Sequence, residues 1–203
     1  MSIPTNKTKS ATTYSFALAL TEPLDKKNTH DQLYEALAQV GGDWYQPAVG
    51  EQRRVQYAKK AGFLICRSTH KPTAAIALEE TIEVSNGDIL NVEVRLPASS
   101  RTPPGHPRGK NKMEPLKEED KIPYFSQLLS KHGMGVLSMT QKHSFDNNIQ
   151  FKGASARVVI HTCDVVATVK VMDVEAFINA YQLGVGRYKT YGCGMLNITK
   201  IEG

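Results

Sequence analysis

The residues best suited to chemistry lie near the end of the chain, in Gly184-Val185-Gly186-Arg187-Tyr188-Lys189-Thr190-Tyr191-Gly192-Cys193-Gly194. Glycines let a backbone approach a partner closely and offer amide donors to phosphate oxygens. Arg187 and Lys189 add positive charge, and Tyr188 and Tyr191 present flat faces on which bases can stack. This is not a dinucleotide loop. A G-x-G-x-x-G loop follows a strand and opens a helix, because the helix N-terminus holds the phosphates. Here the loop follows a helical segment and feeds a strand, and Gly192 breaks the spacing. A helix cap with a tight turn accounts for an isolated glycine pair. Four glycines and two cations within eleven residues point to a functional loop instead.

The charge balance agrees with a polyanionic partner. Residues 1–98 carry 11 basic and 11 acidic side chains, whereas residues 99–203 carry 14 and 9, so the whole surplus of +5 lies in the second half. Such a one-sided excess suits nucleic acid, although a generic basic surface has the same composition. Cys66, Cys163 and Cys193 are too widely spaced for a metal motif and are expected as free thiols in a reducing cytoplasm. His161 lies in an apolar run and is expected in the core. His70, His106, His132 and His143 fall in turns, loops or helix ends without metal-ligand spacing. No metal site or cofactor is expected. The polar first residues lack an apolar signal core, and no apolar run is long enough for a bilayer.

These side chains need a scaffold, and the hydrophobic periodicity suggests one. Residues 1–12 read as a flexible tail and 13–20 as a strand. Residues 29–32 form a capping box before a helix carrying Leu33, Leu37 and Val40, which Gly41-Gly42 ends. Strands are expected over 53–57, 62–67 and 80–85, with 71–78 ambiguous and a short helix one reading of it; Asn86-Gly87-Asp88 makes a turn. Residues 89–96 alternate, with Leu90, Val92, Val94 and Leu96 on one face. Residues 99–112, SSRTPPGHPRGKNK, contain four cations, three prolines and no acid, and read as a loop or disordered segment. A helix is expected over 118–132, with Ile122, Phe125, Leu128 and Leu129 as its apolar stripe. Strand regions follow at 133–139 and 155–172, then a helix from the Asp173 cap to Leu183, and a last strand over 195–201. The fold class is therefore α+β. It comprises two tandem ferredoxin-like (RRM-like) βαββαβ units, residues 13–85 and 86–203, with a basic loop at 99–112 and the glycine-rich loop at the C-terminal end.

The segment Gly184-Val185-Gly186 … Lys189 … Gly192-Cys193-Gly194-Met195-Leu196, placed after a helix, resembles the C-terminal signature of the CRISPR-associated repeat endoribonucleases. The closest likeness is to the CasE subfamily, which matures crRNA for Cascade. Val92-Glu93-Val94-Arg95-Leu96-Pro97 resembles the family's arginine-bearing strand. The resemblance is strong over 180–200, plausible over 89–183 and weak before residue 85. It implies a pre-crRNA endoribonuclease that needs no metal. The ribose 2′-OH attacks the adjacent phosphate, a 5′-OH leaves, and a cyclic phosphate or 3′-phosphate remains. It further implies a repeat-RNA hairpin and other Cascade-type effector subunits as partners, a cytoplasmic location and no membrane association.

In CasE relatives the general base is a histidine within Leu-His-x-x-Leu on the first helix. The matching stretch here is Leu33-Tyr34-Glu35-Ala36-Leu37, so Tyr34 occupies that position. His30 lies four residues earlier, one helical turn away on the same face. The expectation is His30 as base, with an unperturbed pKa of about 6.5, Tyr34 orienting it or the phosphate, and Lys189 stabilising charge. An ordinary exposed His30 is the bland alternative, and a catalytically degenerate hairpin-binding subunit is its consequence. Lys26 and Lys27 can reach a phosphate or stand as solvated surface. For RNA contact the expected residues are Arg95, Arg101, Arg108, Lys110, Lys142, Lys152, Arg157, Gly184, Gly186, Arg187, Tyr188, Gly192 and Gly194. The cations of 141–157 and 99–112 can lean on an A-form stem, read through backbone and shape, or decorate a variable hairpin and a linker. A third class, a small-molecule-binding module, fits the charged loop poorly.

Overall fold

A computed structural model describes residues 7–19, 35–38, 55–60, 63–73, 75–101, 113–142, 148–152 and 157–200. The strands are β1 (Thr8–Ala19), β2 (Val55–Lys60), β3 (Phe63–Ser68), β4 (Leu78–Ser85), β5 (Ile89–Pro97), β6 (Ser99–Arg101), β7 (Met113–Pro115), β8 (Met134–Lys142), β9 (Asn148–Lys152), β10 (Arg157–Val171) and β11 (Asn197–Lys200). The helices are α1 (Glu118–Ser130) and α2 (Val174–Leu183), and residues 35–38 are also helical. The fold is α+β and dominated by antiparallel sheets.

The first sheet runs β2-β3-β1-β4 and the second β11-β5-β10-β8, with β9 paired to β10 beyond β8. The strand β1 begins at Thr8, so five residues of the expected tail pair with β4, from Thr8 opposite Ser85. Residues 71–73 and 75–77 form no helix. Asn86-Gly87-Asp88 does turn the chain, with Gly87 at φ 96° and the Asp88 amide donating to Ser85 O. It does not make a hairpin: β4 pairs with β1, while β5 pairs with β10 and β11. The turn carries the chain from one sheet to the other.

Alternation on β5 buries Leu90, Val92, Val94 and Leu96, and the matching face of β10 buries Val165, Ala167 and Val169. Phe125 and Leu129 of α1 and Val174, Phe177, Ile178 and Tyr181 of α2 cover them. Asp173 caps α2, its carboxylate accepting from the Glu175 and Ala176 amides. A second cluster gathers Phe16, Leu18, Leu37, Tyr57, Leu64 and Cys66. Ala11 and Val84 of the first sheet belong to the larger cluster, so the two sheets share a core. Polar atoms fasten the same seam. The Gln56 side-chain amide donates to the carbonyls of Tyr181 and Gln182 at 2.9 and 2.7 Å, satisfying the C-terminal end of α2. The N-terminal end of α2 is held by Glu175, which pairs with Lys7 and Lys9 of the first sheet region, both at 2.7 Å.

The three cysteines are free and buried. Burial pushes the thiols of Cys66 and Cys193 up to about 12 and raises that of Cys163. No helix among the described residues is long and apolar enough to cross a membrane.

Candidate nucleic-acid interface

The glycine loop leaves α2 at Gly184 and is tied shut at its base. The Val185 amide donates to Gly194 O at 2.9 Å, and the Gly194 amide donates to Arg95 O of β5 at 2.8 Å. Gly194 has φ 84°, and a Cβ there would stand 2.1 Å from Val185 O. Gly192, at φ 82°, lies against the Tyr57 ring. Both glycines are therefore required by internal closeness. Above this base, φ is positive at Gly186 and Tyr188. The amides of Gly186, Arg187 and Tyr188 donate to no backbone oxygen among the described residues. Consecutive amides without a backbone partner are groups that an anion can engage.

The side chains on the loop divide into two sets. Arg187 turns inward: its guanidinium donates to Ser99 O at 2.7 Å and approaches Tyr124 Oη at 3.4 Å and Met113 Sδ at 3.7 Å. That arginine clamps the loop to the β6–β7 hairpin and α1. Tyr188 and Tyr191 pack edge to face, with centroids 6.4 Å apart, so they form one aromatic pair. The half-buried Lys189 donates to Gly184 O at 3.1 Å, and desolvation lowers its pKa. The His132 imidazole follows α1. Burial lowers its pKa first, and the positive charge of Lys189 lowers it further. His132 is thus a titratable neighbour of Lys189 that sequence spacing alone did not single out.

Other expected RNA contacts occupy two further places. Arg95 makes a two-pronged ion pair with Asp164, its cross-strand partner, at 2.7 and 2.9 Å. Lys142, at the end of β8, pairs with Glu93 at 2.7 Å. These charges on the second sheet balance each other. Lys152 and Arg157 stand opposite one another on the β9–β10 hairpin, and Arg101 ends β6. His30, Tyr34, Arg108 and Lys110, with Lys26 and Lys27, lie outside the described residues. Among the described residues no group of three or more His, Cys, Asp or Glu side chains is placed to hold a metal ion.

Two polar residues beneath the loop escaped the sequence reading. Gln56 is buried, and its Oε1, without a partner among the described residues, faces Gly184. Arg67, 6% exposed, donates to Leu196 O at 2.6 Å and lies over the Tyr181 ring. Nothing local marks either one, since both sit in short strands and their partners lie more than a hundred residues away.

Residues 54–200, which hold the loop and everything that anchors it, match the family model described as CRISPR associated protein. The chain belongs to that family. No curated protein sequence matches this CRISPR-associated chain. Its fold is similar to the CRISPR endoribonuclease Cse3 solved with a 19 nt RNA, at TM-score 0.69 and 14% identity, covering 94% of this chain and 100% of that one. It is also similar to Cas6e from Escherichia coli str. K-12, at TM-score 0.67 and 17% identity over 93% and 100% of the two chains. A chain of Escherichia coli Cascade bound to a PAM-containing dsDNA target matches at TM-score 0.54 and 14% identity, over 93% and 99%. At these identities the likeness is one of fold.

Proposed function

We propose that this chain is a CasE-like endoribonuclease that binds the hairpin of a CRISPR repeat, cleaves pre-crRNA, and stays with its product in a Cascade-type effector in the cytoplasm. The observation that carries the reading is the near-complete fold likeness to an RNA-bound Cse3, in a chain whose family is CRISPR-associated. The anchored glycine loop, with its amides that donate to no backbone oxygen among the described residues and its half-buried lysine, is the feature of the site that fits it.

We read the architecture as two ferredoxin-like units, 13–85 and 86–203. Both main sheets have the order second-third-first-fourth in terms of their own strands, which is the order that such a unit requires. The β9–β10 hairpin, with Lys152 and Arg157 paired across it, suits contact with the backbone of an A-form stem.

The proposed reaction needs no metal. His30 takes the proton of the 2′-OH, the 2′-oxygen forms a bond to the adjacent phosphorus, and the P–O5′ bond breaks. The 5′-oxygen leaves protonated, and a cyclic phosphate remains upstream. Tyr34 orients the base or the phosphate. Lys189 faces the charge of the phosphorane, where a partly desolvated cation acts more strongly than in water. A second reading, a hairpin-binding subunit without cleavage, is favoured by Tyr34 at the position where relatives carry histidine.

The test is incubation with the repeat RNA of its own array in EDTA, followed by a sequencing gel. Wild type should cut at one site, and H30A should not. Cutting that survives H30A but fails in Y34F moves the chemistry to Tyr34. Tight binding without any cut leaves the second reading.

A further inference from the structure

A cleft of about 580 Å³ opens between the β6–β7 hairpin, the start of α1, and strands β8, β9 and β10. It is separate from the glycine loop but adjoins the residue that anchors it. Ala98 lines the cleft, and the carbonyl of the next residue, Ser99, holds Arg187. One wall is apolar, formed by Ala98, Pro115 and Leu116. The imidazole-bearing His161 and the amide-bearing Asn148 also line it. The expectation that His161 packs in the core is corrected here, because it is only partly buried and borders the cleft.

The decisive group is Thr162. The residue is 5% exposed, lines the cleft, and its Oγ1 has no hydrogen-bond partner among the described residues. A buried hydroxyl without a partner is costly, and one beside an open cleft points to a ligand that completes it. Other polar groups nearby are already engaged. The Gln141 amide donates to Glu118, and its Oε1 accepts from Cys163 Sγ at 3.1 Å. Lys121 holds Glu118 at 2.5 Å, and Lys142 reaches Glu93 from the rim.

Resting on the reading under Proposed function, we infer that this cleft takes one unpaired nucleotide of the repeat RNA, outside the hairpin stem. An apolar wall and an imidazole are both surfaces on which a planar ring can pack, and a hydroxyl can both donate to and accept from a base edge. Lys121 and Lys142 are held by Glu118 and Glu93, so the cleft selects for the ring rather than for the charge of its phosphate. An inorganic anion has no use for the apolar wall, and an apolar ligand has none for the lone hydroxyl. The volume falls in the range of ordinary small-ligand sites. Because Ser99 anchors Arg187, a filled cleft also braces the strand on which the glycine loop is clamped.

The experiment uses the full chain and its repeat RNA carrying 2-aminopurine at each unpaired position in turn, with the bare hairpin as comparison. Binding should change the emission at one unpaired position. T162V, which keeps the side-chain shape, should remove most of that change and shrink the affinity advantage of the full repeat over the bare hairpin about tenfold. H161A should act in the same direction. Circular dichroism and hairpin affinity report whether each variant is folded. If the hairpin binds but no unpaired position responds, or if T162V and H161A respond as wild type does, this inference fails alone. If neither RNA binds, it fails together with the reading on which it rests.

Discussion

The guanidinium of Arg67, on the first sheet, lies 4.4 Å from the centroid of the Tyr181 ring, on helix α2. The same guanidinium donates to Leu196 O at 2.6 Å, and the Tyr181 hydroxyl meets Thr13 Oγ1 at 3.4 Å. One buried cation thus spans the seam and reaches the residue between the glycine loop and β11.

Replacing Arg67 by methionine should lower stability by about 2–4 kcal/mol, combining a stranded Leu196 carbonyl with a lost cation–π contact. Arg67→Lys should not restore it, because an ammonium cannot both lie flat on the ring and keep the planar donor geometry. Urea denaturation reads both, and a lysine variant as stable as wild type counts against the seam assignment.

Gly194 and Gly87 provide a controlled pair, since both have positive φ. A Cβ at Gly87 meets open space, whereas one at Gly194 meets Val185 O at 2.1 Å. Gly87→Ala should cost about 1–2 kcal/mol, the usual price of a left-handed L-residue. Gly194→Ala should cost at least ~2 kcal/mol more, by the overpacking it forces, and thermal melts of the two variants should separate accordingly.

Those two glycines show what the sequence could and could not tell. The strand pattern of Leu90, Val92, Val94 and Leu96 and the Asp173 cap were legible, because alternation and capping are local properties. Turn chemistry at Asn86-Gly87-Asp88 was legible too, but not its use as a link between sheets, which depends on distant partners. The loop glycines read as freedom for a ligand. In the fold, Gly192 and Gly194 answer to Tyr57 and Val185, a demand that no spacing rule contains. Gln56 and Arg67 read as ordinary polar strand residues for the same reason: their partners lie 125 to 129 residues away. The candidate base and its tyrosine came only through family resemblance, and they lie outside the described residues.

Cys66 and Cys193 make stability depend on alkaline pH. Their folded pKa values, about 12, exceed the ordinary thiol value of 9.0 because burial disfavours the thiolate. Stability is therefore fully present below pH 9 and declines as pH rises toward 12, since the unfolded thiols ionise first. Each thiol should contribute a loss of about 1.4 kcal/mol per pH unit in that window. Denaturant midpoints of wild type and C66A/C193A across pH 8 to about 11 should converge as the pH rises. A parallel pair of curves argues against buried thiols.

Lys189→Ala should slow single-turnover cleavage by about 10²-fold or more, as expected when a donor to developing charge is removed. Repeat affinity should fall much less. A variant that loses affinity and rate in equal measure would assign Lys189 to binding alone.

Arg67 and Leu196 are 129 residues apart, and β11 supplies the last partner of β5. During translation, residues 7–183 can emerge with the β5 edge bare and the Arg67 guanidinium still seeking its carbonyl. The second sheet is not finished until residue 200 exists. Contacts closed across such separations form slowly, and an exposed edge invites mispairing while it waits. The moment at which the nascent protein becomes a competent molecule is therefore set by the same short stretch that shapes its glycine loop.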